Sequence, residues 1–566
     1  MKTRSTLLRS AALAALCILG APVAASAADD QPGEWSTYGR TYANTRYSPL
    51  TQINDANVSK LRLAYTLQLG SLRSNEATPI VIGDTMYVSS SWGPKTVFAL
   101  NAKTGRIKWQ YQPELPDDMI QYACCDVDSR GVSYADGKIF LGRLDGHLVA
   151  LDAKTGEELW NAQVVDYKQG SAITSPPVVV GNVVITGFAG GDYGARGALQ
   201  GYDAATGKQI WKTWLTAAKD EPNGDTWKGD SAEHGGAAAW GVGSYDPKTD
   251  TLFWGTSNPG PWNDSVRSAG SANYGKLSNL YSASTLALDP KTGAIKWWFQ
   301  ETPADVWDYD GVNEAVLADL PVNGKTLPAL MKADRNGFLF VLNRDTGQLV
   351  SADPFVPVNW AKGYDVENGT PIIDPANRPS MGHPVTGVCP AWIGGKNWQP
   401  ISFNPDTGLA YIAANNMCTD MKSVEIAYRR GVFYLGSDFN VYAGPGGYSG
   451  ALMAWDPVAR KKAWEIKLPL PYNGGTMTTA GNLVFFGDIT GIFHALNART
   501  GQNLWQINVG TGIGAGGMSF EVDGKQYVGV VVGRTVSQPA AMGDPGKQIA
   551  ALTPEGGALL VFALPD

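Results

Sequence analysis

The chain has 566 residues, and 45 Lys and Arg against 52 Asp and Glu give a formal charge of −7, a balance that argues against nucleic acid and anionic membrane as partners. Only 17% of residues are charged, while Gly numbers 67 and Trp 19; the glycine share is well above the ~7% of ordinary proteins, so many tight turns and many large apolar anchors are implied. Four His in the whole chain disfavour His-rich metal chemistry.

Lys2, Arg4 and Arg9 precede the apolar run Ala11 to Gly20, and Ala25-Ser26-Ala27 follows as a small-residue cleavage site. Together they predict a secretory signal peptide over 1–27, too short to span a bilayer, with export and residues 28–566 as the mature chain. Leu16 sits where lipoprotein processing wants a small residue, which argues against an anchor on Cys17. Removing three basic and no acidic residues takes the formal charge from −7 to −10.

Four cysteines remain: Cys124, Cys125, Cys389 and Cys418. Neither C-x-x-C nor C-x-x-C-H occurs, which disfavours zinc and covalent haem, and an even count in an oxidising compartment favours disulfides. Adjacent Cα atoms lie about 3.8 Å apart, shorter than the usual disulfide span, so a Cys124–Cys125 bridge must be held by its surroundings. If these two pair, Cys389 and Cys418 are left for each other; the alternative is that the adjacent cysteines are reduced or separately paired.

From residue 97 onward an internal repeat organises the chain. VFALNAKTGRIKW (97 to 109), LVALDAKTGEELW (148 to 160), LQGYDAATGKQIW (199 to 211), STLALDPKTGAIKW (284 to 297) and FHALNARTGQNLW (493 to 505) are clear copies, with weaker ones at 339 to 350 and 452 to 464. Each reads as an apolar strand, an Asp or Asn turn ending in Gly, and a second strand carrying a Trp. Gly105, Gly156 and Gly207 are spaced by 51 residues, enough for one four-stranded sheet per repeat. An all-β, eight-bladed propeller is therefore predicted as a single unit, with 558 to 564 joining an N-terminal strand to close the ring. Trp109, Trp160, Trp211, Trp297, Trp464 and Trp505 are assigned to packing between blades.

Outside the repeat, several segments are richer in Gly, carboxylates and amides than blade packing requires. They are SNEATP (74 to 79), YACCDVDSRG (122 to 131), AGGDYGARG (189 to 197), GGAAAWG (235 to 241), GTSNPGPWN (255 to 263), DVWDYDGVNE (305 to 314), ADRNG (333 to 337) and GGKNW (394 to 398). In an extended WDYD segment, Asp308 and Asp310 project to one face, and two such carboxylates stay ionised only with a cation between them.

With these segments the sequence resembles the quinoprotein alcohol dehydrogenases, exported eight-bladed propellers that hold pyrroloquinoline quinone (PQQ) and a metal ion. The resemblance covers essentially the whole mature chain. It implies that a Cys124–Cys125 ring covers one face of the cofactor and Trp240 the other, and that Arg130 pairs with a PQQ carboxylate. Glu76, Thr174 and Asn397 match further cofactor contacts, Gly190 and Gly191 permit close backbone approach, and Arg335 matches the cation near the quinone oxygens. The implied metal ligands are Asp192, Asn258, Asp308 and Asp310, oxygen donors suited to a hard cation. Asp308 matches the catalytic base, and Asp310 the extra acid of the lanthanide-dependent branch; as a simpler alternative, Asp310 caps a turn before Gly311.

Three positions depart from the family pattern: Asp192 replaces a usual Glu, Ala238 a frequent Thr, and Asn473 a Trp on the substrate side, which leaves room for a larger alcohol. The resemblance implies oxidation of a small primary alcohol to the aldehyde with a lanthanide at the site and a separate cytochrome c as acceptor. Whether the chain forms a homodimer stays open. A calcium-dependent quinoprotein for a bulkier or polymeric alcohol is one alternative. A non-enzymatic propeller scaffold is another, although it has no use for adjacent cysteines or WDYD.

Overall fold

The computed structural model describes residues 31–92, 96–270 and 273–566, so the export segment predicted for 1–27, including Cys17, lies outside the described residues. Eight antiparallel sheets follow one another along the chain; seven have four strands, and in the eighth a fifth strand, Tyr47–Ser48, runs parallel to the innermost strand Thr476–Thr479. The ring closes between distant parts of the sequence. Arg62–Gln68 is the outermost strand of a sheet whose other members are Ala558–Ala563, Lys525–Val532 and Met518–Val522.

The sequence pattern explains the layering within a blade. Inner strands such as Val178–Val180 and Val183–Thr186 are buried on both faces, as their unbroken apolar runs require. Outer strands such as Glu158–Gln163 alternate between exposed and half-buried residues. Apolar clusters straddle neighbouring blades: Ile80, Tyr87 and Val97 of one pack with Ile139, Leu141 and Val149 of the next.

The repeated Trp residues do what the repeat predicts. Each clear copy bulges at the Trp, and Gly156, in the left-handed region at φ 78°, lies so close to Trp109 that a Cβ would stand 2.6 Å from the indole. The Trp109 Nε1 then donates to the Ala153 carbonyl at 3.0 Å, and Trp160 and Trp464 donate in the same way to Ala204 and Ala498 at 3.1 Å. At the closure the aromatic is Tyr65, which covers Gly105 and donates to the Ala102 carbonyl at 2.6 Å.

Three features carry no repeat signal, one of them a small two-stranded sheet of Ala361–Asp365 and Thr370–Ile373. Val385–Val388, Met417–Ser423 and Ser437–Ala443 form a three-stranded sheet inserted in one blade, tied by the Cys389–Cys418 disulfide. A ten-residue helix, Gly543–Leu552, precedes the closing strand. No helix among the described residues is long and apolar enough to cross a membrane.

Candidate active site

A cavity of about 350 Å³ gathers most of the predicted site residues: Cys124, Cys125, Arg130, Thr174, Gly190, Gly191, Asp192, Trp240, Asn258, Asp308, Asp310, Arg335 and Asn397 all line it. They come from loops spread across the chain, which only the ring arrangement can bring together.

The carboxylates converge, but not through the extended segment expected. Asp308 has φ 65°, in the left-handed region. The loop is fixed by Asp305, whose Oδ1 accepts from the Trp307 amide at 3.1 Å and whose Oδ2 accepts from the Tyr309 amide at 2.9 Å. Trp307 and Tyr309 stack on each other, and the Tyr309 hydroxyl donates to the Pro390 carbonyl at 2.6 Å. With the aromatic residues locked inward, the backbone reversal at Asp308 turns its carboxylate toward the same guanidinium as Asp310. Arg335 Nη2 lies 3.1 Å from Asp308 Oδ2, and Nη1 pairs with Asp310 Oδ2.

Asp310 is not a turn cap. Its carboxylate accepts from the Asn258 amide at 2.7 Å and from Trp240 Nε1 at 3.2 Å, partners 52 and 70 residues away. Asp192, on a 3-10 turn after Gly190, accepts from Asn258 Nδ2 at 3.1 Å and Trp262 Nε1 at 3.0 Å. Gly190 takes φ 123°, and a Cβ there would stand 2.6 Å from Ser171 Oγ, so glycine is required where this turn meets its neighbour.

Three carboxylates around one guanidinium leave the cluster net negative. Burial pushes the Asp308 carboxyl well above its ordinary value; Arg335 pulls against this, and Asp192 and Asp310 add to it. Asp192 is raised for the same reasons, burial first and then Asp310. Burial would lower Arg335, but Asp310 and Asp308 hold it above its usual range.

The donor set fits a hard cation. Asp308 Oδ1 is buried with no hydrogen-bond partner among the described residues, the charges of Asp192 and Asp310 act on this carboxylate, and Asn258 bonds to both of those acids; a net negative set of oxygen donors favours such an ion. Among the described residues no three His, Cys, Asp or Glu side chains close around a point by themselves. Beneath the loop, Lys332 bonds Glu301 Oε1 at 2.8 Å, Thr285 Oγ1 at 3.0 Å and the Gly311 carbonyl, while Asp334 lies 3.3 Å away.

The other end of the cavity is built to take anionic oxygens. Arg130 pairs with Glu76 at 2.8 Å, donates to Thr174 Oγ1 at 2.7 Å, and lies between the rings of Trp240 and Trp398, each 5.0 Å from its Cζ. Buried donors with no partner among the described residues, Arg130 Nε, Arg335 Nε, Trp398 Nε1 and the Tyr472 hydroxyl, belong to residues lining the same space. A flat tricarboxylate would satisfy such donors. Cys124 and Cys125 are bridged to each other.

Not every expected residue turns a free polar group to the cavity. Glu76 lies behind Arg130 and is held by Thr535 Oγ1 at 3.3 Å; burial lifts its carboxyl to about 7 against the pull of Arg130. The Asn397 carboxamide accepts from the Trp398 amide and donates to the Ile393 carbonyl, both at 2.9 Å. Asn473 does not line the cavity. Its amide donates to the Leu470 carbonyl at 2.8 Å and accepts from the Ile489 amide at 3.0 Å, so the room expected from Asn473 is not made there; its neighbour Tyr472 faces the cavity instead.

Sequence reasoning missed Asp128, Trp262 and Trp398, although all three lie in segments singled out for their composition, and Tyr472, although it adjoins Asn473. It also missed Phe433 and Phe439, which the inserted sheet and its loop bring to the cavity and which no motif marked.

The family profile described as "PQQ: Glucose/ethanol/alcohol dehydrogenase, beta-propeller domain" matches residues 35–362 and 448–528. A lanthanide-dependent methanol dehydrogenase of Methylacidiphilum fumariolicum is 42% identical, over 98% of this chain and 97% of its own. Quinoprotein alcohol dehydrogenase PedH of Pseudomonas putida is 38% identical over 98% and 96%. A solved europium-containing methanol dehydrogenase superposes with a TM-score of 0.90 at 42% identity, covering 94% of this chain and 98% of that one. A propeller of this layout, a cavity of this chemistry and similarity over the full length agree, and the chain belongs to the PQQ-dependent alcohol dehydrogenase family.

Proposed function

We propose that the protein oxidises a small primary alcohol to its aldehyde with PQQ and a lanthanide ion, and passes the electrons to a separate cytochrome c. The observation that carries this is the convergence of Asp308 and Asp310 on Arg335 in a cavity lined by the Cys124–Cys125 pair and Trp240. Bound PQQ supplies the two-electron acceptor for the alcohol's hydride, with the metal ion as Lewis acid beside it.

The chain's own groups divide the remaining work. Arg130 and Thr174 hold carboxylate oxygens at one end, and Arg335 holds charge at the other. Asp192, Asn258, Asp308 and Asp310 present oxygens to the ion. Asp308 Oδ1, the buried oxygen without a partner among the described residues, accepts the hydroxyl proton of the alcohol. Trp262, Phe433 and Phe439 give the remaining cavity wall an apolar face that excludes water from the reacting atoms.

Asp310 favours the trivalent ion over calcium, because its charge adds to those of Asp192 and Asp308. The reading further takes 1–27 as a signal that is removed and 28–566 as one propeller acting in the periplasm. The test is reconstitution of the purified chain with PQQ and either lanthanum or calcium, followed by alcohol-dependent reduction of cytochrome c across a panel of alcohols. Activity is expected with lanthanum. Turnover supported by calcium alone would remove the lanthanide assignment, and no alcohol-dependent turnover with either ion would remove the function.

A further inference from the structure

Tyr472 combines three features that packing alone does not require. Its backbone has φ 64°, a left-handed conformation that a residue other than glycine adopts at a cost and that concentrates at functional sites. Its side chain is only 1% exposed, and its hydroxyl has no hydrogen-bond partner among the described residues. Yet the side chain lines the cavity that holds Arg130 and Arg335.

The surroundings enforce this arrangement. The Tyr472 amide donates to Asn415 Oδ1 at 2.8 Å, and Asn415 Nδ2 donates to the Gly394 carbonyl at 3.2 Å. On the other side Asn473 is anchored to the Leu470 carbonyl and the Ile489 amide. The backbone is thus fixed before and after the reversal, which leaves the phenol directed into the cavity beside Trp398. Burial, reinforced by Glu76 and Asp128 and opposed by Arg130 and Arg335, pushes the phenol well above its ordinary value, so it stays protonated and is a donor at any working pH.

We propose that the Tyr472 hydroxyl is a cofactor-binding group that donates a hydrogen bond to an acceptor oxygen of bound PQQ. This rests on the reading of the cavity as the PQQ site. PQQ carries three carboxylates and two quinone oxygens, all acceptors, whereas Arg130, Arg335 and Tyr472 are donors. An orphaned donor becomes satisfied when an acceptor enters, and the reversed backbone at Tyr472 is retained because it aims that donor.

Tyr472→Phe removes the hydroxyl and keeps the ring. Apoprotein of parent and variant is titrated with PQQ by quenching of tryptophan fluorescence, and thermal unfolding is recorded with and without PQQ. The variant is expected to bind PQQ about ten- to a hundred-fold more weakly, the range for a hydrogen bond to a charged acceptor. Its apoprotein should melt at the parent temperature or above it, because no protein hydrogen bond has been removed. The rise in melting temperature on saturation with PQQ should be smaller for the variant. Binding within two-fold of the parent overturns the assignment alone, as does an apoprotein that melts lower with unchanged affinity, which would give the hydroxyl a structural role. A parent that takes up no PQQ overturns the cavity reading together with the assignment.

Discussion

Replacing Asp310 by Ala separates the ion-binding and scaffolding roles of this side chain, and both can be estimated. The substitution strips acceptors from the Asn258 amide, from Trp240 Nε1 and from Arg335 Nη1. Breaking one side of a buried ion pair costs about 3–5 kcal/mol, and Arg335 keeps Asp308 and the Trp392 carbonyl at 2.7 Å, so a loss of stability near ~3 kcal/mol is expected. The ion loses one negative neighbour. At ~4 Å and an effective dielectric of ~20 that is about 4 kcal/mol per unit of ion charge. A trivalent ion therefore loses about 4 kcal/mol more than a divalent one, up to a thousand-fold in relative affinity.

Terbium luminescence is a direct assay for that loss, because Trp240 and Trp262 donate to Asp310 and Asp192 and stand close enough to sensitise an ion held there. Terbium is titrated into PQQ-loaded parent and variant, and calcium is measured by competition. Equal fractional losses for the two ions, or terbium affinity unchanged by the substitution, would refute the charge argument and leave Asp310 as a scaffold for Arg335 and Asn258.

Asp308→Asn should retain PQQ and metal uptake while kcat falls by about 10²–10⁴-fold, the range for losing a general base; turnover near the parent rate would place the base elsewhere. Mild reductant should reach Cys124–Cys125 before Cys389–Cys418, because Cys125 is exposed at the cavity mouth whereas Cys389 and Cys418 are buried. Activity should therefore track labelling of the first pair, and thiol labelling that appears first at Cys389 and Cys418 would contradict it. Burial raises the Glu301 carboxyl from 4.5 to about 7, with Lys332 opposing and Asp334 reinforcing the shift. The native state then binds this proton more tightly than the unfolded chain, so its contribution to stability is full below about pH 4.5 and is lost as pH rises to about 7. In Glu301→Gln that decline is absent, and the difference in melting temperature should move in the variant's favour from pH 5 to pH 8; a constant difference would count against the shift.

The blades were legible because each repeat carries its own strands, turn and aromatic anchor within about a dozen residues. The closure was legible only in outline: Tyr65 does the work of the repeated Trp without the surrounding motif, so pattern matching passes over it. In the site, residue types forecast the donors, but backbone conformation decided how they met. Nothing in WDYD announces the left-handed turn at Asp308, which depends on Asp305 binding two amides. Tyr472 takes the place expected of Asn473 for the same reason, since one reversed φ selects which of two neighbours faces inward. Phe433 and Phe439 were invisible because the inserted sheet that delivers them pairs strands across a long gap in sequence.

The strand that seals the ring has a consequence for the order in which the protein matures. Thr66 meets Leu559 across 493 positions, so this join cannot form until nearly all of the chain has emerged, and such long-range pairings form late. Ser537 and Gln538, which line the cavity, arrive on the same late segment. A nascent chain that has made its other blades therefore still displays a free sheet edge, a template for pairing with another copy, and lacks part of the cavity wall. The complete cavity wall exists only after the seal, and any delay in that last pairing lengthens the interval in which the edge is open to misassembly.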